Sequence, residues 1–99
     1  MPRDKRPTWA QVAIQRAGLK KAMRAMTFAT AWAVVEKDLG EEPSVEAYSA
    51  WWKQSSRTTY RELAAWRECF PEFSTPTGFF AVAGTADLSA RVPVDWKFA

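Results

Sequence analysis

Ninety-nine residues, 47% hydrophobic and 25% charged, are enough for one domain with one modest core. The chain has no His and a single Cys, Cys69, which excludes His-based acid–base and nucleophilic chemistry, most transition-metal sites and any internal disulfide. The four Gly, at 18, 40, 78 and 84, form neither a Walker A loop nor a dinucleotide fingerprint, so the expectation is no enzyme, no cofactor and no small-molecule ligand.

The net charge of +3 is unevenly distributed. Residues 1–24 carry about +6, residues 25–50 about −4, residues 51–70 about +2 and the remainder about −1. A basic start and a second basic segment, parted by an acidic stretch, point to a cationic surface and a polyanionic partner. No apolar signal-peptide core follows the charged start, and the uncharged run 25–35 is too short to span a bilayer. A reducing cytoplasm and no membrane partner are therefore expected.

Residues 1–7 read as a mobile basic arm carrying Arg3, Lys5 and Arg6. Thr8 is a plausible N-cap, behind which Trp9, Val12, Ala13, Ile14 and Ala17 recur at helical spacing. Gly18 ends or weakens that helix. A longer helix is predicted over 19–39, with Leu19, Ala22/Met23, Met26 and Ala33 in one apolar row and Phe28, Trp32, Val35 and Leu39 in the next. Gly40 stops it.

Ser44 then caps a short helix through Trp52, with Val45, Tyr48 and Trp52 on one face. Trp51, on a different face, is expected in the core against the long helix rather than on a partner surface. Lys53–Ser55 form a polar break. Ser55 or Ser56 caps the next helix, whose buried stripe is Thr59, Leu63, Trp66 and Phe70, ended by Pro71. Its opposite face carries Arg57, Tyr60, Arg61, Ala64 and Glu68. Phe79–Val82 and Arg91–Val94 read either as two short strands of a C-terminal hairpin or, for the first run, as a helical turn after Pro76. Phe79, Phe80, Trp96 and Phe98 either close over the helices or form an exposed patch.

Two short helices split by a three-residue polar turn match the helix-turn-helix layout. The stretch Lys53-Gln54-Ser55-Ser56-Arg57-Thr58-Thr59-Tyr60-Arg61-Glu62-Leu63 resembles the G-V-S-x-x-T-x-x-R-x-L signature of bacterial and phage helix-turn-helix transcription regulators. Ser55, Thr58, Arg61 and Leu63 fall on signature positions, Tyr48 and Trp52 fill the apolar positions of the first helix, and Ser49 stands where a small residue is usual. The resemblance covers about residues 44–66. It departs from the pattern at Lys53, in place of the turn Gly, at Gln54, in place of an apolar residue, and at Thr59, in place of a branched aliphatic. A left-handed backbone at Lys53 costs strain, and the turn is expected to be wider or less buried than standard.

Together the caps, the apolar rows and the resemblance predict a mainly α bundle of about four helices, with the motif at 44–70 inside a helical domain at 8–73. A C-terminal segment at 74–99 packs on that domain or reaches a partner. The resemblance also implies sequence-specific binding of double-stranded DNA, with Lys53, Ser55, Ser56, Arg57, Thr58, Tyr60 and Arg61 in contact. Arg57 and Arg61 suit guanine edges, and the short hydroxyls suit phosphates. Arg3, Lys5 and Arg6 suit an adjacent minor groove, and Lys20, Lys21 and Arg24 either grip phosphates or stay solvated. A homodimer is expected, joined through aromatics of the C-terminal tail or the first helix. The alternative is a protein–protein interaction module that uses a Trp-rich surface without touching DNA.

Overall fold

A computed structural model of the chain describes residues 5–96 and contains five helices among them. These are α1 (Trp9–Ala17), α2 (Leu19–Leu39), α3 (Val45–Trp52), α4 (Ser56–Cys69) and α5 (Pro76–Ala83). Each boundary has a local cause. Thr8 caps α1 in a reciprocal box with Gln11, and Ser44 and Ser55 cap α3 and α4 by accepting from the backbone N–H groups of Ala47 and Thr58. Gly40 ends α2 in the left-handed region, at φ 75°, which its missing Cβ permits.

The long helix α2 is the spine, and every other helix packs on it. Its buried line is Ala22, Ala25, Phe28, Ala29, Trp32 and Val35. Leu19 and Met23, expected inward, instead point to solvent, at 61% and 57% exposure. The apolar girdle of α2 is broad enough to support two choices of inner face, and the larger rings on the Phe28–Trp32 side select the one that is used.

Two aromatic clusters fix the packing. Trp9 meets Phe70, Phe73, Phe79 and Trp96 with ring centroids 5.1–6.2 Å apart, locking α1 to the end of α4 and to the C-terminal segment. Phe28, Trp32 and Tyr48 meet at 5.2–5.5 Å and lock α2 to α3. Edge-to-face rings add to the burial energy at both sites. Polar bonds fix the seams. Trp32 Nε1 donates to Thr77 Oγ1, which donates to Glu36 Oε2, joining α2 to α5. The guanidinium of Arg16 grips both carboxylate oxygens of Glu72 and the carbonyl of Cys69, joining α1 to the end of α4.

The C-terminal hairpin does not form among the described residues. Phe79–Val82 lies in α5, started by Pro76 at its first position and ended by Gly84 in the left-handed region. Beyond it the chain runs back across the start of α1, with one isolated antiparallel bridge, Thr8 to Arg91. The backbone N–H groups of Trp9 and Ala10 donate to the carbonyls of Ala90 and Leu88, and that of Val92 donates to Pro7. The segment after residue 73 thus packs on the helices, with Phe79, Leu88 and Val92 buried. Trp51 is not in the core. It is 39% exposed, because its indole N–H reaches Asp38 at 3.0 Å and holds the ring at the rim of α2.

Candidate nucleic-acid interface

The turn between α3 and α4 opens on a left-handed residue. Lys53 has φ 55° and ψ 47°, and is the non-glycine residue with positive φ among the described residues. Its N–H and that of Gln54 donate to the carbonyls of Ala50 and Ser49, closing α3. A Cβ in this conformation costs about 1–2 kcal/mol relative to Gly.

The other two departures from the pattern compensate each other. Ser49 Oγ donates to the carbonyl of Val45 at 2.7 Å, so the 2.6 Å contact with Thr59 is donated by the threonine hydroxyl. Thr59 Oγ1 in turn accepts from Gln54 Nε2 at 2.9 Å, whose second proton goes to Glu62 at 2.8 Å. Every proton in this relay has one acceptor, so the buried hydroxyls of Ser49 and Thr59 are satisfied. A hydrogen-bonded latch takes the place of an apolar contact at the α3–α4 crossing.

With Thr59, Leu63, Trp66 and Cys69 turned inward, α4 presents Ser56, Arg57, Tyr60, Arg61 and Ala64 outward. Arg57, Tyr60 and Arg61 are exposed and make no hydrogen bond or ion pair within the described chain. Lys53, Ser55, Ser56 and Thr58 are exposed beside them. Ser55 and Thr58 are already engaged: Ser55 Oγ accepts the N–H of Thr58, and their hydroxyls meet at 3.0 Å. No acidic residue occupies the first turn of α4, so its N-terminal dipole is uncompensated.

Arg61 also lines an open groove of about 520 Å³ between α4 and α2, with Met23, Arg24, Thr27, Phe28, Thr58, Glu62 and Ala65. Sequence reasoning had Arg24 only as an ordinary solvated residue or a phosphate contact, and did not place it beside Arg61. The antiparallel course of α2 and α4, marked by the Lys21–Glu68 ion pair at 2.7 Å, brings the two guanidinium groups to one groove. No pattern local to either helix carries that pairing.

Residues 5–7, the described part of the basic arm, lie elsewhere. Lys5 is exposed, while Arg6 and Pro7 are tied to the C-terminal segment through their carbonyls, which accept from the Arg91 guanidinium at 2.6 Å and from the N–H of Val92 at 2.9 Å. That segment adjoins Trp9 and therefore the Phe70 end of α4. At 1.5 Å per residue this is about 20 Å from Arg57. Arg3 lies outside the described residues.

Among the described residues no group of three or more His, Cys, Asp or Glu is placed to hold a metal ion, and no helix is long and apolar enough to cross a membrane. Burial pushes the Tyr48 phenol and the Cys69 thiol above their ordinary pKa values, which suits packing roles. No family model, curated protein or solved structure matches this chain.

Proposed function

We propose that the chain is a small DNA-binding protein, a regulator of transcription of bacterial or phage type, in which α4 is the recognition helix. The reading rests on one observation above others. Arg57, Tyr60 and Arg61 stand outward on the first two turns of α4 without partners among the described residues, behind a turn whose first residue, Lys53, is left-handed. A helix so placed offers its N-terminal side chains to base edges in a major groove. Lys53 and the open N-terminus of α4 suit flanking phosphates. Arg24 extends the cationic face across the groove from Arg61.

The decisive experiment is a mobility-shift titration with random double-stranded fragments, followed by selection from a random library. Retarded complexes are expected, with affinity falling about 0.9 log units per log unit of salt for each phosphate neutralised. Absence of any complex at low salt sinks the reading.

One observation favours the second reading, a protein-interaction module. Trp51 and Trp52 are about 40% exposed and pack edge-to-face at 4.7 Å, and Trp52 shares a shallow hollow with exposed Val34. Replacing both Trp by Ala leaves DNA binding intact under the first reading.

A further inference from the structure

We propose that the outward face of α2 is a homodimer interface, in which two copies of the helix pack antiparallel about a two-fold axis near Thr27 and Thr30. The inference rests on the fold alone and is independent of what α4 binds.

The face is apolar although it is solvent-facing. Leu19, Met23, Thr27, Thr30 and Val34 follow one another at steps of four and three along the exposed side of α2. The hydroxyl of Thr27 donates to the carbonyl of Met23 at 3.0 Å, and that of Thr30 to Met26 at 3.1 Å. Both hydroxyls are therefore satisfied within the helix, and their methyl groups join the apolar stripe. No charge interrupts α2 between Arg24 and Glu36. The aromatics of α1 and α5 are no alternative interface, since Trp9 and Phe79 are buried in the core.

The charges at the two ends of the stripe identify the occupant as a second copy. Lys20, Lys21 and Arg24 sit at the positive end of the α2 macrodipole and Asp38 at the negative end, each the unfavourable way round. Lys21 is relieved by Glu68, but Lys20 and Arg24 have no ion-pair partner among the described residues. Lys20 and Asp38 are separated by about five full turns, so they lie on the same flank of the stripe. A two-fold axis perpendicular to the helix reverses its direction and keeps like flanks together. Lys20 then meets the partner's Asp38, and Met23 meets the partner's Val34. An antiparallel copy supplies the missing counter-charge at both ends at once.

The same symmetry operation has a consequence for α4. Arg24 and Thr27 line the groove shared with α4, so α4 lies on the Lys20 flank. Both copies of α4 therefore emerge on one side of the dimer.

The test is sedimentation of the full chain from micromolar to millimolar concentration, with helix content followed in parallel. Wild type should show a reversible monomer–dimer equilibrium. Thr30→Lys should be monomeric with unchanged helix content. Lys20→Asp should weaken association about tenfold, because attraction becomes repulsion at two symmetric contacts. Adding Asp38→Lys should restore it to near the wild-type value. Three outcomes overturn the proposal: a chain that is monomeric throughout, a dimer indifferent to Thr30→Lys, or a double charge reversal no tighter than the single one.

Discussion

The hydroxyls of Ser49 and Thr59 meet at 2.6 Å across the α3–α4 crossing, with the threonine as donor and Gln54 feeding a proton to it in turn. Three polar residues stand where helix-turn-helix proteins favour small and apolar ones, and they satisfy one another. Replacing Thr59 by Val removes the central member and leaves Ser49 and Gln54 with unmet bonds. Thr59→Val should cost about 1–3 kcal/mol. The double variant Ser49→Ala, Thr59→Val should recover part of that loss, and a double-mutant cycle by denaturant unfolding measures the coupling.

Lys53 offers the opposite test. Its left-handed backbone is strained for any residue with a Cβ. Lys53→Gly should raise stability by about 0.5–1 kcal/mol, after allowing for the greater freedom of Gly in the unfolded chain. Calorimetry should record a melting temperature about 2–8 °C higher. A lower melting temperature contradicts the strain argument.

On α4 stability and binding should separate. Arg57→Ala and Arg61→Ala remove exposed side chains and should change stability by less than about 0.5 kcal/mol. Each should weaken binding to a selected operator by roughly 1–3 kcal/mol. Leu63→Ala and Trp66→Ala open the core and should cost about 2–5 kcal/mol of stability. If both Arg variants bind as tightly as wild type, α4 is not the recognition helix.

Acid should act through Glu72. The bidentate bond from Arg16 holds the Glu72 carboxyl below its ordinary value of 4.5. A pKa lowered by folding contributes stability that is present above 4.5 and is lost as pH falls through the folded value. Melting temperature plotted against pH should thus fall below about pH 4.5. Glu72→Gln should flatten that fall, while destabilising the neutral-pH protein because Arg16 loses its counter-charge.

How much of this was legible beforehand differs by element. The boundaries of α1 to α4 and the inward stripe of α4 follow from caps, glycines and a narrow apolar row with polar residues on either side. The left-handed turn at Lys53 was legible only through the helix-turn-helix resemblance. The inner face of α2 was legible in part: Phe28, Trp32 and Val35 of one row are buried, whereas Leu19 and Met23 of the other, which fit an apolar row as well, face solvent. Trp51 was misplaced because burial of a ring says nothing of an indole N–H that finds Asp38. The run Phe79–Val82 is too short for its period to tell strand from helix, and Pro76 and Gly84 decide it as α5. The Arg24–Arg61 groove depends on how two helices distant in the chain are brought alongside, which no local pattern contains.

The backbone bonds from Trp9 and Ala10 to Ala90 and Leu88 bear on the order in which the chain can fold. The start of α1 is finished by residues made some eighty positions later. Contacts of such sequence separation form late and slow the search for the native state. On the ribosome, α2 to α4 can meet while Trp9 still lacks the rings of Phe73, Phe79 and Trp96 around it. Trp9 therefore stays unsheltered until residues 73–96 have been made, and a chain cut before Leu88 would leave it uncovered on the Trp96 side for good.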